Sequence, residues 1–272
     1  MDRKRIENII IIILVLLNLF LLSVTATDRV KQRRSERETL ETVTALLADY
    51  GISIGEDAVL LQETPAACTV VRDFDAERSR MKEMIGSGNS EDMGGSILFY
   101  HTDRGQAVLR GTGEIDMLLT GGSVPVKGSR EKTAAKLFAR AGVETDLWTV
   151  SEAAADHIDC CCLWNGIPVY NAKLGFDFSG LNLSMVSGTL VLNRETQRST
   201  EGVMGPISAL MRFMEIVRSE GLICSRLDAM TPGYLMNVTV SGESTLTPVW
   251  HIRTDTGEFY LNALSGKTET VS

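Results

Sequence analysis

The sequence predicts an α+β fold with a membrane anchor. Three observations support this: an apolar N-terminal span, a pair of alternating strands near the C-terminus, and a helix-then-strands order that occurs twice. The closing stretch, residues 247–267, reads TPVWHIRTDTGEFYLNALSGK. Trp250 and Ile252 alternate with polar neighbours, and the alternation resumes in GEFYLN after a turn. A period of two on both sides of a glycine-containing turn predicts a β-hairpin with one apolar face.

The first 27 residues contain a segment long enough to cross a bilayer. Residues 6–24 read IENIIIIILVLLNLFLLSV, and about 20 apolar residues in a helix span the hydrocarbon core. A cleaved signal peptide is the alternative, because Val24-Thr25-Ala26 resembles a cleavage site. The apolar run exceeds the usual length of a signal core, about 7 to 15 residues. We therefore predict a retained transmembrane anchor within residues 1–27.

The basic residues on the two sides of this span favour opposite orientations in the membrane. Arg3, Lys4 and Arg5 favour a cytoplasmic N-terminus, whereas the basic residues between positions 29 and 37 favour the reverse. A long C-terminal domain can be translocated regardless of flanking charge. The sequence therefore predicts a single-pass protein of the cell membrane, with a cytoplasmic N-terminus and an extracytoplasmic body.

Composition excludes one class of partner. The 272-residue chain has 35 acidic residues against 27 Lys and Arg, for a net charge of −8. An acidic body repels the phosphate backbone of nucleic acids. We therefore exclude nucleic-acid binding, and we expect only the basic cluster after the span to contact lipid headgroups.

Cysteine usage does not indicate a disulfide framework, because the count of five is odd. Three of the cysteines are consecutive in HIDCCCLW, which we predict to be a strand. Side chains alternate along a strand, so Cys160 and Cys162 would face one way and Cys161 the other. We interpret the three as small apolar core residues, with a redox or metal role as the alternative.

Residues 28–125 are predicted to hold a juxtamembrane helix and an N-terminal α+β region. The helix shows apolar spacing that includes Val43 and Leu47, and Gly51 would end it. Four further elements are predicted in this region: a strand at residues 67–71, a helix at 75–85, a loop at 87–96 and a hairpin at 97–109.

Two similar units are predicted after residue 125. Helices at residues 129–141 and 206–219 are each followed by strands, and Pro168-Val169-Tyr170 recurs as Pro248-Val249-Trp250, 80 residues later. Such an offset predicts an internal repeat. The units would span residues 126–200 and 201–272, each a helix packed on an antiparallel sheet.

Within the second unit, four apolar side chains of the closing hairpin should face its helix. They are Trp250, Ile252, Phe259 and Leu261.

The sequence contains no recognisable catalytic motif. His101, His157 and His251 each lie on or beside a predicted strand, which is typical of outward-facing solvated side chains. A His-Glu-x-x-His zinc motif, a Gly-x-Ser-x-Gly elbow and a P-loop are all absent from the sequence. We read Gly111-Thr112-Gly113 as a turn. The sequence therefore predicts a non-enzymatic protein without catalytic, cofactor-binding or metal-binding residues.

Several stretches together resemble a known family. The basic N-terminus followed by IIIIILVLLNLFLL, with Leu-Asn-Leu-Phe at residues 17–20, resembles the start of the YycI-type (YycH/YycI) regulators. LTPVWHIRTDTGEFYLNALSGK, GYLMNV at 233–238 and NGIPVYNAKLGFDFSG at 165–180 are similar to the family's terminal strands. PepSY-type domains share that terminal pattern. The resemblance covers the anchor and roughly residues 126–272, but not residues 50–125.

The resemblance implies a membrane-anchored regulator. Its partner would be a two-component sensor histidine kinase that controls cell-wall metabolism, with a paralogous regulator as a further partner. Asn18, Leu19 and Phe20 in the span would contact the kinase, since Asn18 can hydrogen-bond a partner helix in lipid. Arg33 and Arg34 would continue that contact at the membrane surface.

Two alternatives remain open. A PepSY-like body could bind or inhibit a peptidase or wall-lytic enzyme, or the chain could be an unrecognised surface hydrolase.

Overall fold

The structure is a computed structural model of the chain. It describes residues 42–45, 47–55, 62–150, 156–191, 194–238 and 243–271. The predicted span at residues 6–24 lies outside the described residues, as do the candidate partner-binding residues Asn18, Leu19, Phe20, Arg33 and Arg34. None of the helices in the described part of the chain combines the length and apolarity that a membrane crossing needs.

The described residues form a mixed α+β fold that is dominated by one large sheet, which confirms the predicted class. The helices are α1 (Phe74–Ile85), α2 (Arg130–Arg140) and α3 (Pro206–Glu220), and residues 42–45 and 47–49 are also helical. The strands are β1 (Ser53–Ile54), β2 (Ala67–Val71), β3 (Asn89–Asp92), β4 (Ile97–Thr102), β5 (Gly105–Arg110), β6 (Glu114–Leu119), β7 (Thr145–Val150), β8 (His157–Trp164), β9 (Ile167–Ser179), β10 (Asn182–Thr189), β11 (Arg194–Ser199), β12 (Arg226–Val238), β13 (Glu243–Thr254), β14 (Gly257–Asn262) and β15 (Thr268–Glu269).

Local sequence signals explain where the helices begin and end. The Asp73 carboxylate caps α1 by accepting hydrogen bonds from two backbone N–H groups, and the Ser129 hydroxyl caps α2. Proline opens α3, and Gly221, with a φ of 66°, closes it in the left-handed conformation that glycine adopts without a steric penalty.

Two details of the sequence prediction were wrong. Residues 87–96, predicted to be a loop, contain β3, and β6 was not predicted. A third detail concerns α3, whose apolar residues at spacings of three and four, Ile207, Leu210, Met211, Met214 and Val217, predict its buried face. Ile207 and Met211 are 37% and 51% exposed, whereas Phe213 is buried.

The sheet has 15 strands and consists of two halves. In the first half, β7, β8, β9, β10, β6, β5, β4 and β3 follow one another as hydrogen-bonded neighbours. In the second half the order is β11, β2, β13 and β12, with β14 and β15 extending from β13 and β1 beside β12. Thus β2, from the predicted N-terminal region, pairs with β13 of the predicted second unit. The division of the chain at residues 125 and 200 stays a prediction.

The two halves meet at a seam between β9 and β12. Their backbones are paired in parallel at one position, where Tyr234 lies opposite Val169. The Asn171 side chain extends this pairing: its Nδ2 donates to the Met236 carbonyl and its Oδ1 accepts from the Met236 N–H, both at 2.8 Å. One amide side chain therefore acts as an extra backbone unit across the seam.

All three helices lie on one face of the sheet. Met230, Tyr234 and Met236 point to the same face of β12, because side chains alternate along a strand. Met230 belongs to the buried cluster under α3, whereas Tyr234 and Met236 belong to the cluster under α1 and α2. In the part of the chain that the structure describes, no helix covers the opposite face, which we call the open face.

The closing hairpin packs as predicted. Trp250, Ile252 and Leu261 are fully buried in the cluster under α3, and the Phe259 ring lies 5.3 Å from that of Phe213.

The consecutive cysteines also alternate as predicted. Cys160 and Cys162 point into the core beneath α1 and α2, and Cys161 points to the open face.

Candidate functional site

The open face carries an aromatic cluster beside the seam. The rings of Tyr170, His251 and Tyr260 are mutual neighbours, with centroids 4.8 to 5.2 Å apart. His251 and Tyr260 are cross-strand partners on β13 and β14, and their rings stack at an angle of 12°. We call these three residues the Tyr–His cluster.

A bulge in β9 brings Tyr170 to this position. The pairing of β8 with β9 shifts between Cys161 and Cys162, whose partners are Lys173 and Val169, so residues 170–172 are extra on β9. Within the bulge, Tyr170 joins the open-face cluster, while Ala172 lies in the core beneath the helices. The bulge thus provides both the seam contact of Asn171 and the ring of Tyr170.

Gly233 makes room for the Tyr170 ring. A Cβ atom at this position would lie 2.3 Å from Cε2 of Tyr170, closer than real Cβ contacts allow. The absence of a side chain on β12 therefore lets the ring lie flat across the seam. This explains why GYLMNV, one of the stretches behind the family resemblance, begins with glycine.

Hydrogen bonds fix the polar atoms of the Tyr–His cluster. The Tyr170 hydroxyl lies 3.0 Å from the Thr231 hydroxyl, and Nε2 of His251 lies 3.1 Å from a carboxylate oxygen of Glu258. Burial raises the pKa of Tyr170 to about 12, so its hydroxyl is neutral at physiological pH. The cluster is an aromatic platform with one carboxylate at its edge.

A groove of about 500 Å³ adjoins the platform. Tyr260 lines it, and the C-terminal residues 268–271 line one side. Lys173 and Glu258 supply charge at the rim. We call it the C-terminal groove. Aromatic surface combined with a few charged groups is typical of protein-binding sites.

Further along the open face, His157 lies between two carboxylates. Its Nδ1 is 2.6 Å from Asp177 and its Nε2 is 3.1 Å from Asp159. The hydrogen bond to Asp177 raises the pKa of His157 above its ordinary value, although partial burial opposes the shift. The prediction of solvated histidines was therefore wrong for this residue, since both ring nitrogens have protein partners.

The thiols of the open face and the neighbouring core are poor nucleophiles. Burial raises the pKa of Cys161, and it raises the pKa of Cys162 to about 12. The neutral thiol therefore predominates at physiological pH. Within the described ranges, no group of three or more His, Cys, Asp or Glu side chains could hold a metal ion.

The site could not have been found from the sequence motifs alone. Tyr170 lies about 80 residues before the hairpin that carries His251 and Tyr260, and a bulge decides the direction of Tyr170. One signal was available: His251 and Tyr260 occupy outward positions on either side of the predicted hairpin turn. Aromatic residues on the polar side of a hairpin could have indicated a binding surface.

No protein-family model matches the chain. Comparison with curated proteins likewise gives no match.

Comparison with solved structures gives several matches, two of which are described here. An uncharacterized protein from Eubacterium rectale ATCC 33656 is similar with a TM-score of 0.46 and 10% identity, over 81% of this chain and 90% of the other. The Bacillus megaterium YpeB C-terminal domain is similar with a TM-score of 0.38 and 11% identity, over 74% of this chain and 97% of that domain. At these values neither similarity assigns a family or a function.

Proposed function

We propose that this chain is a non-enzymatic, membrane-anchored protein whose extracytoplasmic body, built from PepSY-like units, binds another protein through its open face. The observation that carries the proposal is the Tyr–His cluster beside the C-terminal groove. Interface hot spots are enriched in tyrosine and form on rigid, well-packed surfaces. The rings of His251 and Tyr260 are partly exposed and would offer such a surface, and the buried ring of Tyr170 supports them.

The site favours binding over catalysis. Acid–base chemistry needs a group that is free to exchange a proton with a substrate. Both nitrogens of His157 have carboxylate partners, and the pKa of the Cys161 thiol is raised by burial. Such groups are suited to holding a surface in shape.

The chemistry of the groove indicates which segment of a partner would fit. The groove contains the carboxylates of Glu258 and Glu269 and one cation, Lys173. Tyrosine faces attract cations. We therefore propose that the partner inserts an arginine or lysine together with a neighbouring apolar side chain.

The resemblance to YycI-type regulators makes a sensor histidine kinase of cell-wall metabolism the first candidate partner, joined by a paralogous regulator. In that case the span, with Asn18, Leu19 and Phe20, and the following Arg33 and Arg34 would share the contact. A peptidase or wall-lytic enzyme is the second candidate. It is favoured by the position of the site on the body, because contact there does not require the span.

Site-specific photocrosslinking in native membranes tests the proposal. A photoreactive residue replaces Thr270, which is exposed on the groove, in the full chain. The control carries the same group at Met211, which is 51% exposed on α3 on the other side of the sheet. We expect a protein to be captured from position 270 and not from position 211. Equal capture from both positions, or none from 270, would refute binding through the open face.

A second pair of samples identifies the class of partner. In one sample an unrelated span replaces residues 6–24. Capture of a kinase that is lost with the replaced span would support regulation through both the span and the body. Capture of a peptidase or wall-lytic enzyme from both samples would support the second candidate.

A further inference from the structure

We propose that a second site, on the helix side of the sheet, binds a phosphate-bearing ligand. This cationic pocket has a volume of about 440 Å³ and lies between α2, the β4–β5 turn and the segment before α2. Four basic side chains line it: Arg104, Lys127, Lys136 and Arg140. The volume is within the range of small-ligand sites, about 300 to 1,000 Å³. The site is separate from the C-terminal groove and does not depend on the protein partner proposed above.

Three chain segments bring these positive charges together. Arg104 comes from the β4–β5 turn, where its Nη2 donates to the Ser123 carbonyl at 2.7 Å and holds the guanidinium beside the pocket. Lys127 follows the segment at residues 123–126, and Lys136 and Arg140 lie one turn apart on α2. A helix dipole alone would explain a cation only in the last turn of α2. It does not explain convergence from the other two segments.

The pocket is unusual within this acidic protein. No aspartate or glutamate is among its lining residues. In the described ranges, Lys127, Lys136 and Arg140 form no ion pair. Six arginines elsewhere on the described surface do have carboxylate partners, whereas Arg194, Arg218 and Arg253 form no ion pair there; the six are Arg78, Arg110, Arg130, Arg198, Arg212 and Arg226.

Repulsion within the pocket adds to this contrast. Like charges four residues apart on a helix repel each other, and this applies to Lys136 and Arg140. A bound anion would remove that repulsion.

The lining indicates the chemical class of the ligand. Arginine forks match the oxygens of phosphate, and lysines add compact positive charge. Four cations exceed what a single carboxylate neutralises, whereas a phosphate monoester carries about two negative charges. Val124, Pro125 and Leu137 form an apolar wall. The ligand should therefore combine a phosphate with an apolar portion, either as a lipid headgroup or as a soluble phosphate ester.

Calorimetric titration of the full chain in a neutral detergent tests this inference. The probes are inorganic pyrophosphate and dihexanoyl phosphatidic acid, a phosphate monoester whose chains are short enough for it to stay monomeric. The variant Lys136→Glu should weaken binding by about tenfold or more, because it replaces a charge-assisted contact with repulsion. Lys82→Glu is the matched control: it makes the same charge change at an exposed position on α1, outside the pocket.

Each outcome decides a different point. Binding of pyrophosphate that is weakened by Lys136→Glu and retained in Lys82→Glu supports a site for soluble phosphates. The same pattern with the lipid alone supports a headgroup site. Binding of neither probe, or equal weakening by the two substitutions, overturns the inference. Unfolding midpoints of both variants, measured in parallel, separate a loss of binding from a loss of folding.

Discussion

At the scale of single residues, the pKa of His157 is set by two carboxylates that neighbour it on the open face. Protonated imidazole can donate a hydrogen bond from each nitrogen, and Asp177 and Asp159 are placed to accept them. The charged form is therefore favoured in the folded state, and the pKa of His157 is raised above about 6.5, its ordinary value. Gly175 permits this arrangement, because a Cβ atom there would lie 2.9 Å from the imidazole.

The raised pKa of His157 predicts a pH dependence of stability. A group whose pKa is higher in the folded state contributes its full stabilisation below its unfolded pKa, and loses it as the pH rises through the folded value. The free energy of unfolding of the wild type should therefore fall as the pH rises above about 6.5. His157→Gln should abolish the part of this pH dependence that comes from His157. The free energy of unfolding, measured by urea unfolding at a series of pH values, tests this.

Two carboxylate variants separate this pairing from the general effect of negative charge. Asp177→Asn removes the main partner of His157 and should reduce the pH dependence. Asp116→Asn removes a carboxylate that pairs with Arg110 elsewhere on the sheet, and it should leave the dependence on His157 intact. Equal pH profiles for His157→Gln and the wild type would show that the pairing does not stabilise the fold.

At the scale of secondary-structure elements, the β13–β14 hairpin depends on one tryptophan. Trp250 is fully buried against α3, and its Nε1 donates to the Met204 carbonyl at 3.3 Å. We expect Trp250→Ala to lower the free energy of unfolding by about 3 to 5 kcal/mol, as truncation of large core side chains does. Trp148→Ala makes the same change at a half-buried position and should cost less. Similar unfolding midpoints for the two variants would contradict the role assigned to Trp250.

The elements that sequence predicts well are those defined by local signals. The hairpins at residues 97–110 and 243–262 and the ends of α3 follow from alternation, turn glycines and an opening proline. The β9 bulge is different. The alternation in NGIPVYNAKLGFDFSG does not indicate which three residues are extra in the pairing of β9 with β8. Its position depends on Gly233 and Met236 in β12, which no local pattern connects to Tyr170 and Asn171.

The same limit applies to the two candidate sites. The Tyr–His cluster needs the register between β13 and β14 as well as the bulge. The cationic pocket needs the β4–β5 turn to approach the segment before α2, where Arg104 donates a hydrogen bond to the Ser123 carbonyl. Residue types alone could show neither convergence, since isolated lysines and arginines on a helix are ordinary solvated side chains.

At the scale of the whole molecule, two kinds of contact hold the halves of the sheet together. One is the seam, with the Tyr234–Val169 backbone pair and the Asn171 side chain. The other is the buried cluster beneath α1 and α2. It contains side chains of both halves, including Leu174 from β9 and Leu246 from β13. A shared core favours cooperative unfolding of the two halves. The seam sets the position of Tyr170 on β9 relative to His251 and Tyr260 in the other half.

These two contributions can be separated by changing Asn171. Asn171→Ala leaves both the N–H and the carbonyl of Met236 without their partner, and loss of a partner for buried polar groups costs about 1 to 3 kcal/mol. We expect that decrease in the free energy of unfolding.

Because the core cluster still spans the seam, both halves should unfold at the same urea concentration. Hydrogen exchange of the backbone amides of β5 and of β13, followed in the same sample at each urea concentration, would report each half. Asn237→Ala, at an exposed position on β12, is the control and should change stability by less than about 0.5 kcal/mol. Two separate midpoints in Asn171→Ala would show instead that the Asn171 amide, and not the shared core, couples the halves.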